Sequence, residues 1–195
     1  DTPVYLKIDE DGCEILPADD LWGLDTFETH QALQERHGKR GEVAAIGPAG
    51  ELGVRFAAIM LDGPVARAVG RCGMGTLMGI KKVKAVYAQG KRKAEVFDAE
   101  GLKASVKGHR EKLLSAAAGL REWSTAGGVE AVEFHGDLPT KNWQLGSWKE
   151  GAQKIAGQAY LPRYLSKHGT CNLCPVRCQK RVEIPDGEFK SSYGH

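Results

Sequence analysis

Three cysteines stand close together near the end of the chain, in the segment CNLCPVRC that runs from Cys171 to Cys178. Their spacing is C-x2-C-x3-C, and Pro175 directly follows the middle cysteine. Clustered thiolates bind a zinc ion or an iron–sulfur cluster, and both kinds of site usually take four protein ligands. The segment therefore predicts a metal or cluster site that needs one more ligand from elsewhere.

The spacing alone leaves three interpretations of these cysteines open. A structural zinc ion would need His168 or His195 to complete its ligand set, although neither gives a familiar spacing. An iron–sulfur cluster can combine three neighbouring thiolates with a remote one, which Cys13 or Cys72 could supply in principle. Cys13 lies on a predicted hairpin strand, where a small buried residue is expected instead. In the third interpretation the cysteines are incidental and bind neither a metal ion nor a cluster.

A second candidate site is the glycine-rich stretch GPVARAVGRCGMGTLMGIKKVKAVYAQG at residues 63–90. Several of its backbone positions lack a Cβ atom, so a polyanion or a bulky planar ligand could approach the main chain closely. Arg67 and Arg71 favour an anionic ligand, because guanidinium groups match the geometry of phosphate. The order of the glycines is not that of a dinucleotide fingerprint, and the stretch lacks the Gly-Lys-Ser or Gly-Lys-Thr of a Walker loop.

The six histidines give weaker signals than the cysteines. They form no H-x3-H or H-E-x-x-H pattern, and His30, His37 and His109 fall on predicted helices, where a core or solvent-facing role is the default. His135 lies in the predicted loop FHGDLPTKNW and is the one histidine that we consider for chemistry. No pair of carboxylates at a telling spacing and no serine elbow is present.

The composition is that of a globular chain of 195 residues, of which 42% are hydrophobic. A net charge of +2 gives no general reason to expect a nucleic-acid partner. The basic residues within positions 81–93 predict a solvated edge strand that lysines protect from further pairing.

The cysteine count and the apolar segments bear on the compartment. Five cysteines without a secretory signal make a disulfide framework improbable and predict a reducing, cytoplasmic compartment. The uncharged stretches are too short to span a bilayer, so we expect no membrane insertion. The chain starts inside a strand pattern and stops at SSYGH, and we expect it to be an internal piece of a longer protein.

Strands with a few helices are predicted for the first half of the chain. Two strands flank the turn DEDG as a hairpin, and Asp25 or Thr26 caps a helix that Gly38 ends. The remaining predicted elements are a strand at Val43–Ile46, a tight GPAG turn, a strand at Val54–Leu61, a short helix at about Thr76–Lys82 and a further strand.

Near residue 95 the apolar period changes from that of strands to that of helices. Asp98 is predicted to cap a long helix that runs to about Trp123. A second helical stretch starts near Lys149, and Pro162 is predicted to break or restart it. We therefore predict a domain boundary near residue 95, with sheet before it and helices after it.

Three segments taken together resemble consecutive stretches of the tungsten- and molybdenum-containing aldehyde:ferredoxin oxidoreductases. They are IGPAGELGVRFAAIMLDG at 46–63, ARAVGRCGMGTLMGIKKVKAV at 66–86 and CNLCPVRC at 171–178. The opening PVYLKIDEDGCEILPADDLWGLDTFET and LPTKNWQ at 138–144 extend the likeness over essentially the whole chain. Each motif is weak to moderate alone, and their order and separation make the set specific.

This resemblance implies an α+β fold in which a mixed β-sheet carries a bis-pterin metal cofactor and a helical domain follows. Residues 1–95 would be the C-terminal part of the N-terminal pterin-binding domain. Residues 96–195 would be the first part of the helical domain, which carries the iron–sulfur cysteines. The Cβ-poor, arginine-flanked loop suits the phosphates of such a cofactor.

The resemblance also implies particular site residues. The family loop equivalent to RAVGR contacts the pterin and its phosphates, which carries over by position to Arg67, Ala68, Gly70 and Arg71. The main-chain carbonyl of Ala68 would reach a magnesium ion that bridges the two pterin phosphates. Where this chain has Cys72, family members commonly have glycine or another small residue, and we interpret Cys72 as a tolerated small side chain.

By the same resemblance, Cys171, Cys174 and Cys178 match the residues that hold a [4Fe–4S] cluster close to the pterin. The fourth cysteine of the family lies far downstream in a D-x-x-G-L-C segment, and no such segment occurs in this sequence. The missing ligand is then expected beyond residue 195 rather than at Cys13 or Cys72.

The implied activity is the oxidation of an aldehyde to a carboxylic acid at a tungsten or molybdenum centre, with electrons leaving through the cluster to ferredoxin or an electron-transfer subunit. One alternative within the family is reduction of the aromatic ring of a coenzyme A thioester. An alternative of another class is a non-catalytic zinc- or cluster-binding module that recognises a partner. A homo- or hetero-oligomer is compatible with each of these functions.

Overall fold

A computed structural model describes residues 2–61, 63–171 and 174–190 of the chain. The chain divides into two compact units, Asp1–Glu95 and Val96–His195, each with its own fold. Among the described residues, no helix combines the length and the apolar character needed to cross a membrane.

A mixed six-stranded sheet forms the base of the first unit. Its strands in chain order are β1 (Val4–Asp9), β2 (Gly12–Pro17), β3 (Glu42–Ala45), β4 (Ile59–Leu61), β5 (Arg67–Val69) and β6 (Val83–Ala88). In space they follow the order β2-β1-β6-β3-β4-β5. The β1–β6 pair is parallel, and the other neighbours are antiparallel. The β1–β2 pair confirms the predicted hairpin around DEDG.

Helix α1 (Thr26–His37) confirms the predicted cap and end of the first helix. The Asp25 carboxylate accepts hydrogen bonds from the amides of Phe27 and Glu28, and the Glu28 carboxylate accepts one from the Asp25 amide. This reciprocal capping box satisfies amide groups that the first helical turn leaves unpaired. At the other end the chain turns at Gly38, whose φ of 120° is in the region that favours glycine.

The core of the first unit lies between α1 and the sheet. Buried side chains from both elements and from the segment after β2 form one cluster: Tyr5, Ala18, Leu21, Leu33, Val43, Ala45, Ala85 and Tyr87. Alternate residues of β6 contribute to it, as expected for a strand whose successive side chains point to opposite faces.

His37 lies between two tyrosines at the edge of this core. Its Nε2 is 2.9 Å from the Tyr5 hydroxyl, and its ring centroid is 5.1 Å from that of Tyr87. Burial lowers the pKa of the His37 imidazole from its ordinary value, and the nearby charges of Lys7 and Arg36 lower it further. The folded chain therefore favours the neutral imidazole more strongly than the unfolded chain does.

A buried ion pair joins the centre of the sheet to helix α2 (Pro48–Glu51). Lys84 Nζ donates to Glu51 Oε1 at 2.5 Å and to the carbonyl of Leu24 at 2.7 Å, and the exposed fractions of the Lys84 and Glu51 side chains are 0% and 6%. The Glu51 carboxylate also accepts from the Gly23 amide at 2.9 Å. Each buried charge thus has hydrogen-bond partners besides the opposite charge.

The predicted solvated edge strand is wrong, because β6 lies inside the sheet, between β1 and β3. Its lysine at position 84 points into the interior and finds a carboxylate there. The predicted tight GPAG turn is instead the short helix α2, which starts at Pro48, a residue whose φ suits the first helical position. The predicted strand at Val54–Leu61 is limited to Ile59–Leu61, because turns hold the chain before it.

The second unit consists mainly of helices. They are α4 (Ala99–Ala116), α5 (Ala118–Trp123), α6 (Val129–Phe134), α7 (Lys149–Ile155) and α8 (Gly157–Tyr164), preceded in the first unit by α3 (Met74–Ile80). The predicted cap of α4 is confirmed, since Asp98 Oδ1 accepts from the Gly101 amide at 2.8 Å. The predicted single helix to Trp123 is interrupted at Ala117, whose φ of −98° and ψ of 16° leave the helical region.

The break in the second helical stretch lies at Ala156, so its predicted place at Pro162 is wrong. Ala156 is extended, whereas Pro162 lies inside α8. The break allows Gly157 to pack against the end of α5, where a Cβ atom would lie 2.7 Å from the Trp123 carbonyl oxygen. Together the mixed sheet of the first unit and the helices of the second confirm the α+β fold class.

An antiparallel hairpin of β7 (Leu165–Gly169) and β8 (Gln179–Val182) follows α8. The buried apolar residues of the second unit, Ala152, Ala156, Leu161 and Val176, come from α7, α8 and the hairpin connection. Helix α4 contributes none, and its apolar residues Leu102, Val106 and Leu113 are exposed.

We expect Glu51→Ala to lower the free energy of unfolding by about 3–5 kcal/mol, because it leaves the Lys84 ammonium buried without a counter-charge. Urea denaturation followed by circular dichroism measures this loss. Glu150→Ala is the matched control, since it removes an exposed ion pair with Lys154 that contributes less than about 1 kcal/mol. Equal losses in the two variants would contradict the structural role of the buried pair.

A second prediction concerns pH. Because the folded pKa of His37 lies below the unfolded value of about 6.5, the unfolded chain takes up this proton at a higher pH than the folded chain. The contribution of His37 to stability is thus complete above about pH 6.5 and decreases as pH falls through the folded pKa. An NMR titration of the His37 ring measures that pKa, with His37→Gln identifying the resonance; a value at or above about 6.5 is incompatible with the buried environment.

Candidate functional site

The glycine-rich stretch forms one edge of the sheet in the first unit. A 3-10 turn at Gly63–Val65 leads into β5, which pairs with β4 so that Ala68 lies opposite Met60. Among the described residues β5 has no second strand neighbour. The sequence predicts a loop and not a strand where β5 lies, because three residues carry no readable alternation.

The four candidate cofactor residues lie in succession along β5 and the turn after it. Ala68, Gly70 and Arg71 are exposed, and Arg67 is partly buried. The turn continues through Cys72 and Gly73, both at a φ of 65°, and α3 begins at the next residue. The exposed backbone of this segment is accessible to a ligand, while contact with a pterin stays a prediction.

Two glycines of the stretch are required by the fold itself. A Cβ atom at Gly73 would lie 2.6 Å from the Arg55 carbonyl oxygen, and one at Gly75 would lie 2.6 Å from that of Ala58. The Gly75 amide donates to the Ala57 carbonyl at 3.0 Å. This approach fixes the start of α3 against the chain segment that precedes β4.

Helix α3 also packs against α2 with almost no side chain between them. A Cβ atom at Gly79 would lie 1.9 Å from the Gly50 carbonyl oxygen, and one at Gly50 would lie 2.9 Å from the Gly75 carbonyl oxygen. Distances this short exclude any side chain at Gly79 without a displacement of the helix. The two helices therefore hold the turn between β5 and α3 in one position.

Gly70 differs from these glycines because the described fold leaves room beside it. A Cβ atom at Gly70 would have the Cβ of Ala68 as its nearest neighbour, 3.9 Å away, which is ordinary van der Waals distance. Neither packing nor a positive φ thus requires glycine at this position. The open space beside Gly70 and the exposed Arg71 fit an anionic ligand that lies close to the main chain.

The three clustered cysteines lie in the connection between β7 and β8. The Cys174 amide donates to the Cys171 carbonyl at 3.0 Å, and the Thr170 hydroxyl lies 2.6 Å from the Cys174 carbonyl oxygen. Cys171 is exposed, and Cys174 and Cys178 are partly buried. Arg177, with a φ of 53°, turns the chain back toward β8.

All five cysteines of the chain lie within the described residues, and no disulfide joins any two of them. Within the described ranges, no three His, Cys, Asp or Glu side chains are gathered as a group that could hold a metal ion. Cys13 is exposed on β2, so the expectation that it is a small buried residue is wrong. His195, one of the two histidines considered for zinc, lies outside the described residues.

His168, the other histidine considered for zinc, has a different partner. Its Nδ1 is 3.0 Å from Nζ of Lys180, which faces it across the β7–β8 pair. Lys180 also donates to the Arg121 carbonyl at 2.5 Å. Burial lowers the pKa of the Lys180 ammonium and Arg121 acts in the same direction, whereas the charge of Cys178 opposes this shift.

The donor chemistry of the hairpin connection fits an iron–sulfur cluster. Three thiols in one short connection are the ligands that such a cluster takes, and none of them is engaged in a disulfide. The hairpin connection therefore has donor atoms of the type that a cluster takes, and these atoms are not enclosed in the core.

An apolar cavity of about 460 Å³ lies elsewhere in the second unit. Its walls include Leu138, Leu145, Trp148 and Ile155. His135 is exposed at the end of α6, where its ring packs edge-on against Phe134 at 5.3 Å. Nothing in these contacts assigns a chemical role to His135.

Two protein-family models match the chain in succession. The model described as "Aldehyde ferredoxin oxidoreductase, N-terminal domain" matches residues 1–90. The model described as "Aldehyde ferredoxin oxidoreductase, domains 2 & 3" matches residues 85–195. Between them they account for the whole length of the sequence.

Individual proteins are also similar to nearly the whole of this chain. A tungsten-containing aldehyde ferredoxin oxidoreductase of Pyrococcus abyssi is 39% identical over 95% of this chain and 31% of its own length. An aliphatic sulfonate oxidoreductase, WOR-like subunit, of Pyrococcus furiosus is 31% identical over 98% of this chain and 32% of its own length. The chain thus spans about a third of the length of these relatives.

A solved structure is similar over nearly all of the chain. It is the active site complex of benzoyl coenzyme A reductase in complex with 1,5-dienoyl-CoA, with a TM-score of 0.70 and 25% identity. The match covers 98% of this chain and 31% of that one.

The space beside Gly79 and Gly70 predicts which of the two glycines the packing of the fold requires. We expect Gly79→Ala to lower the thermal unfolding temperature by several degrees, because overpacking costs about 1–3 kcal/mol. Gly70→Ala should leave the unfolding temperature close to that of the wild type. Differential scanning calorimetry measures both, and a Gly70→Ala variant as unstable as Gly79→Ala would contradict the open space beside Gly70.

Proposed function

Because the chain belongs to the aldehyde ferredoxin oxidoreductase family, we propose that it forms part of the cofactor-binding region of an enzyme that oxidises aldehydes to carboxylic acids. The observation that carries this proposal is the succession of the N-terminal and the domain 2 and 3 models along one chain. Ferredoxin or an electron-transfer subunit accepts the electrons, and the substrate is a small aldehyde. We place the activity in the cytoplasm, in a homo- or hetero-oligomer.

In the reaction an aldehyde and water give a carboxylic acid, two protons and two electrons. When bound, the bis-pterin tungsten or molybdenum supplies the two-electron redox chemistry and the [4Fe–4S] cluster the transfer of single electrons. The protein has to bind these groups, orient them and exclude water from them. The described residues contribute to the first two of these tasks.

The segment from Arg67 to Arg71 is proposed to hold the pterin phosphates. Arg71 is exposed and charged, and its guanidinium can donate paired hydrogen bonds to a phosphate. The missing side chain at Gly70 lets the ligand reach the main chain, where the fold leaves space. Arg67 adds a second positive charge, and the Ala68 carbonyl is the proposed ligand of a magnesium ion between the phosphates.

The hairpin connection is proposed to hold the cluster through Cys171, Cys174 and Cys178. Their thiols, none of which is in a disulfide, and their short spacing support this role. The fourth ligand is proposed to come from a part of the enzyme beyond these residues. A chain with three of the four ligands should bind the cluster poorly on its own.

Reduction of the aromatic ring of a coenzyme A thioester is the second candidate activity. The similarity to a benzoyl coenzyme A reductase complex favours it, at 25% identity and a TM-score of 0.70. The higher identity to an aldehyde ferredoxin oxidoreductase, 39%, favours aldehyde oxidation. Assays of the full-length enzyme with aldehydes and a viologen dye, and with benzoyl coenzyme A and a low-potential reductant, discriminate between the two.

A non-catalytic zinc- or cluster-binding module is the candidate of another class. A structural zinc site needs four ligands in tetrahedral geometry, and the three free cysteines of the hairpin connection are donors of the type that zinc takes. Metal analysis of full-length protein purified under anaerobic conditions tests this directly. Zinc without iron, tungsten or molybdenum would overturn the redox proposal.

The cluster assignment predicts the effect of single cysteine substitutions. In the full-length enzyme, Cys174→Ser should reduce bound iron to less than about half of the wild-type content, because the cluster loses a thiolate. Cys13→Ser is the matched control and should retain wild-type iron, since Cys13 lies on β2 in the other unit. Iron analysis and visible absorption measure the effect; full iron retention in Cys174→Ser rules out the assigned ligand.

A further inference from the structure

Lys180 is a buried cation beside the cysteine connection. It lies on β8, and its exposed fraction is 3%. No carboxylate among the described residues forms an ion pair with it. An ammonium group in such a place is costly unless hydrogen bonds or another negative charge stabilise it.

Two hydrogen bonds hold the Lys180 ammonium in place. One goes to the carbonyl of Arg121 in the last turn of α5, at 2.5 Å. Carbonyls at the end of a helix lack an intrahelical partner and carry a partial negative charge. The other hydrogen bond joins Lys180 to His168 Nδ1 at 3.0 Å, across the two strands that flank the cysteines.

The side chain of Arg121 forms a further hydrogen bond, with the cysteine connection itself. Its Nη1 donates to the carbonyl of Pro175, the residue after the second cysteine, at 3.3 Å. The end of α5 therefore contacts the base of the hairpin through Lys180 and the cysteine connection through its own side chain. These contacts restrain the loop that carries all three thiols.

The position of Lys180 in the chain also brings its charge close to the thiols. Lys180 follows Cys178 by two residues and lies on the strand that leads away from the cysteine connection. A [4Fe–4S] cluster with thiolate ligands has a net negative charge, which increases when it accepts an electron. A cation held in a poorly solvated place beside such a cluster stabilises the reduced form and raises its reduction potential.

We propose that Lys180 is a positioning residue of the electron-transfer site: it holds the cysteine hairpin against the end of α5 and places a buried positive charge two residues from Cys178. This inference rests on the proposed cluster. Its role is separate from ligation, because an ammonium group has no lone pair for iron. Lys180 acts on the cluster in two ways: it restrains the loop that carries the cysteines, and its positive charge stabilises the reduced cluster.

Full-length enzyme purified under anaerobic conditions tests the proposal with Lys180→Met, which keeps the length of the side chain and removes its charge. The reduction potential of the cluster is measured by redox titration followed by electron paramagnetic resonance. We expect a shift to a more negative potential in Lys180→Met. Lys167→Met is the matched control: Lys167 is exposed on β7, and its loss should leave the potential at the wild-type value.

An unchanged potential in a Lys180→Met enzyme with full iron content overturns the proposal. If Lys180→Met folds without binding iron, Lys180→Arg decides: recovery of iron by the variant that keeps the charge supports the role, and its failure to bind iron overturns it. Circular dichroism establishes that the variants are folded. An iron-free wild-type enzyme would instead refute the cluster, and with it the role of Lys180.

Discussion

The buried ion pair between Lys84 and Glu51 is the contact on which the arrangement of the first unit depends. It joins the centre of the sheet to α2 and to the carbonyl of Leu24. The position of α2 in turn determines that of α3, because Gly50 and Gly79 meet backbone to backbone. The turn before α3, with its open position beside the main chain, is therefore placed by a charge pair on the interior side of the sheet.

A buried lysine has a comparable part in the second unit. Lys84 and Lys180 each donate to a main-chain carbonyl of a remote segment, that of Leu24 and that of Arg121. Lysine suits this task because its long stem crosses the apolar layer while its ammonium carries three donors. Each candidate site is thus built from exposed and partly buried residues on a segment whose position depends on a buried polar contact.

The features that the sequence predicted correctly depend on residues close together in the chain. The Asp25 cap and the β1–β2 hairpin are local patterns of this kind. The burial of Lys84 was not predictable, because its partner lies 33 residues away and a lysine beside other lysines resembles a surface residue. For the sites, spacing identified the thiol donors, whereas the contact of Lys180 with α5 joins residues 59 apart.

The length of β5 has a consequence for the behaviour of the protein in solution. An open strand at the edge of a sheet is a template on which another chain can add a strand, and such additions lead to aggregation. At three residues, with an arginine at its start and a glycine directly after it, β5 offers too few consecutive backbone groups for a stable addition. The segment can therefore remain accessible to a small anionic ligand without becoming a nucleus for fibril growth.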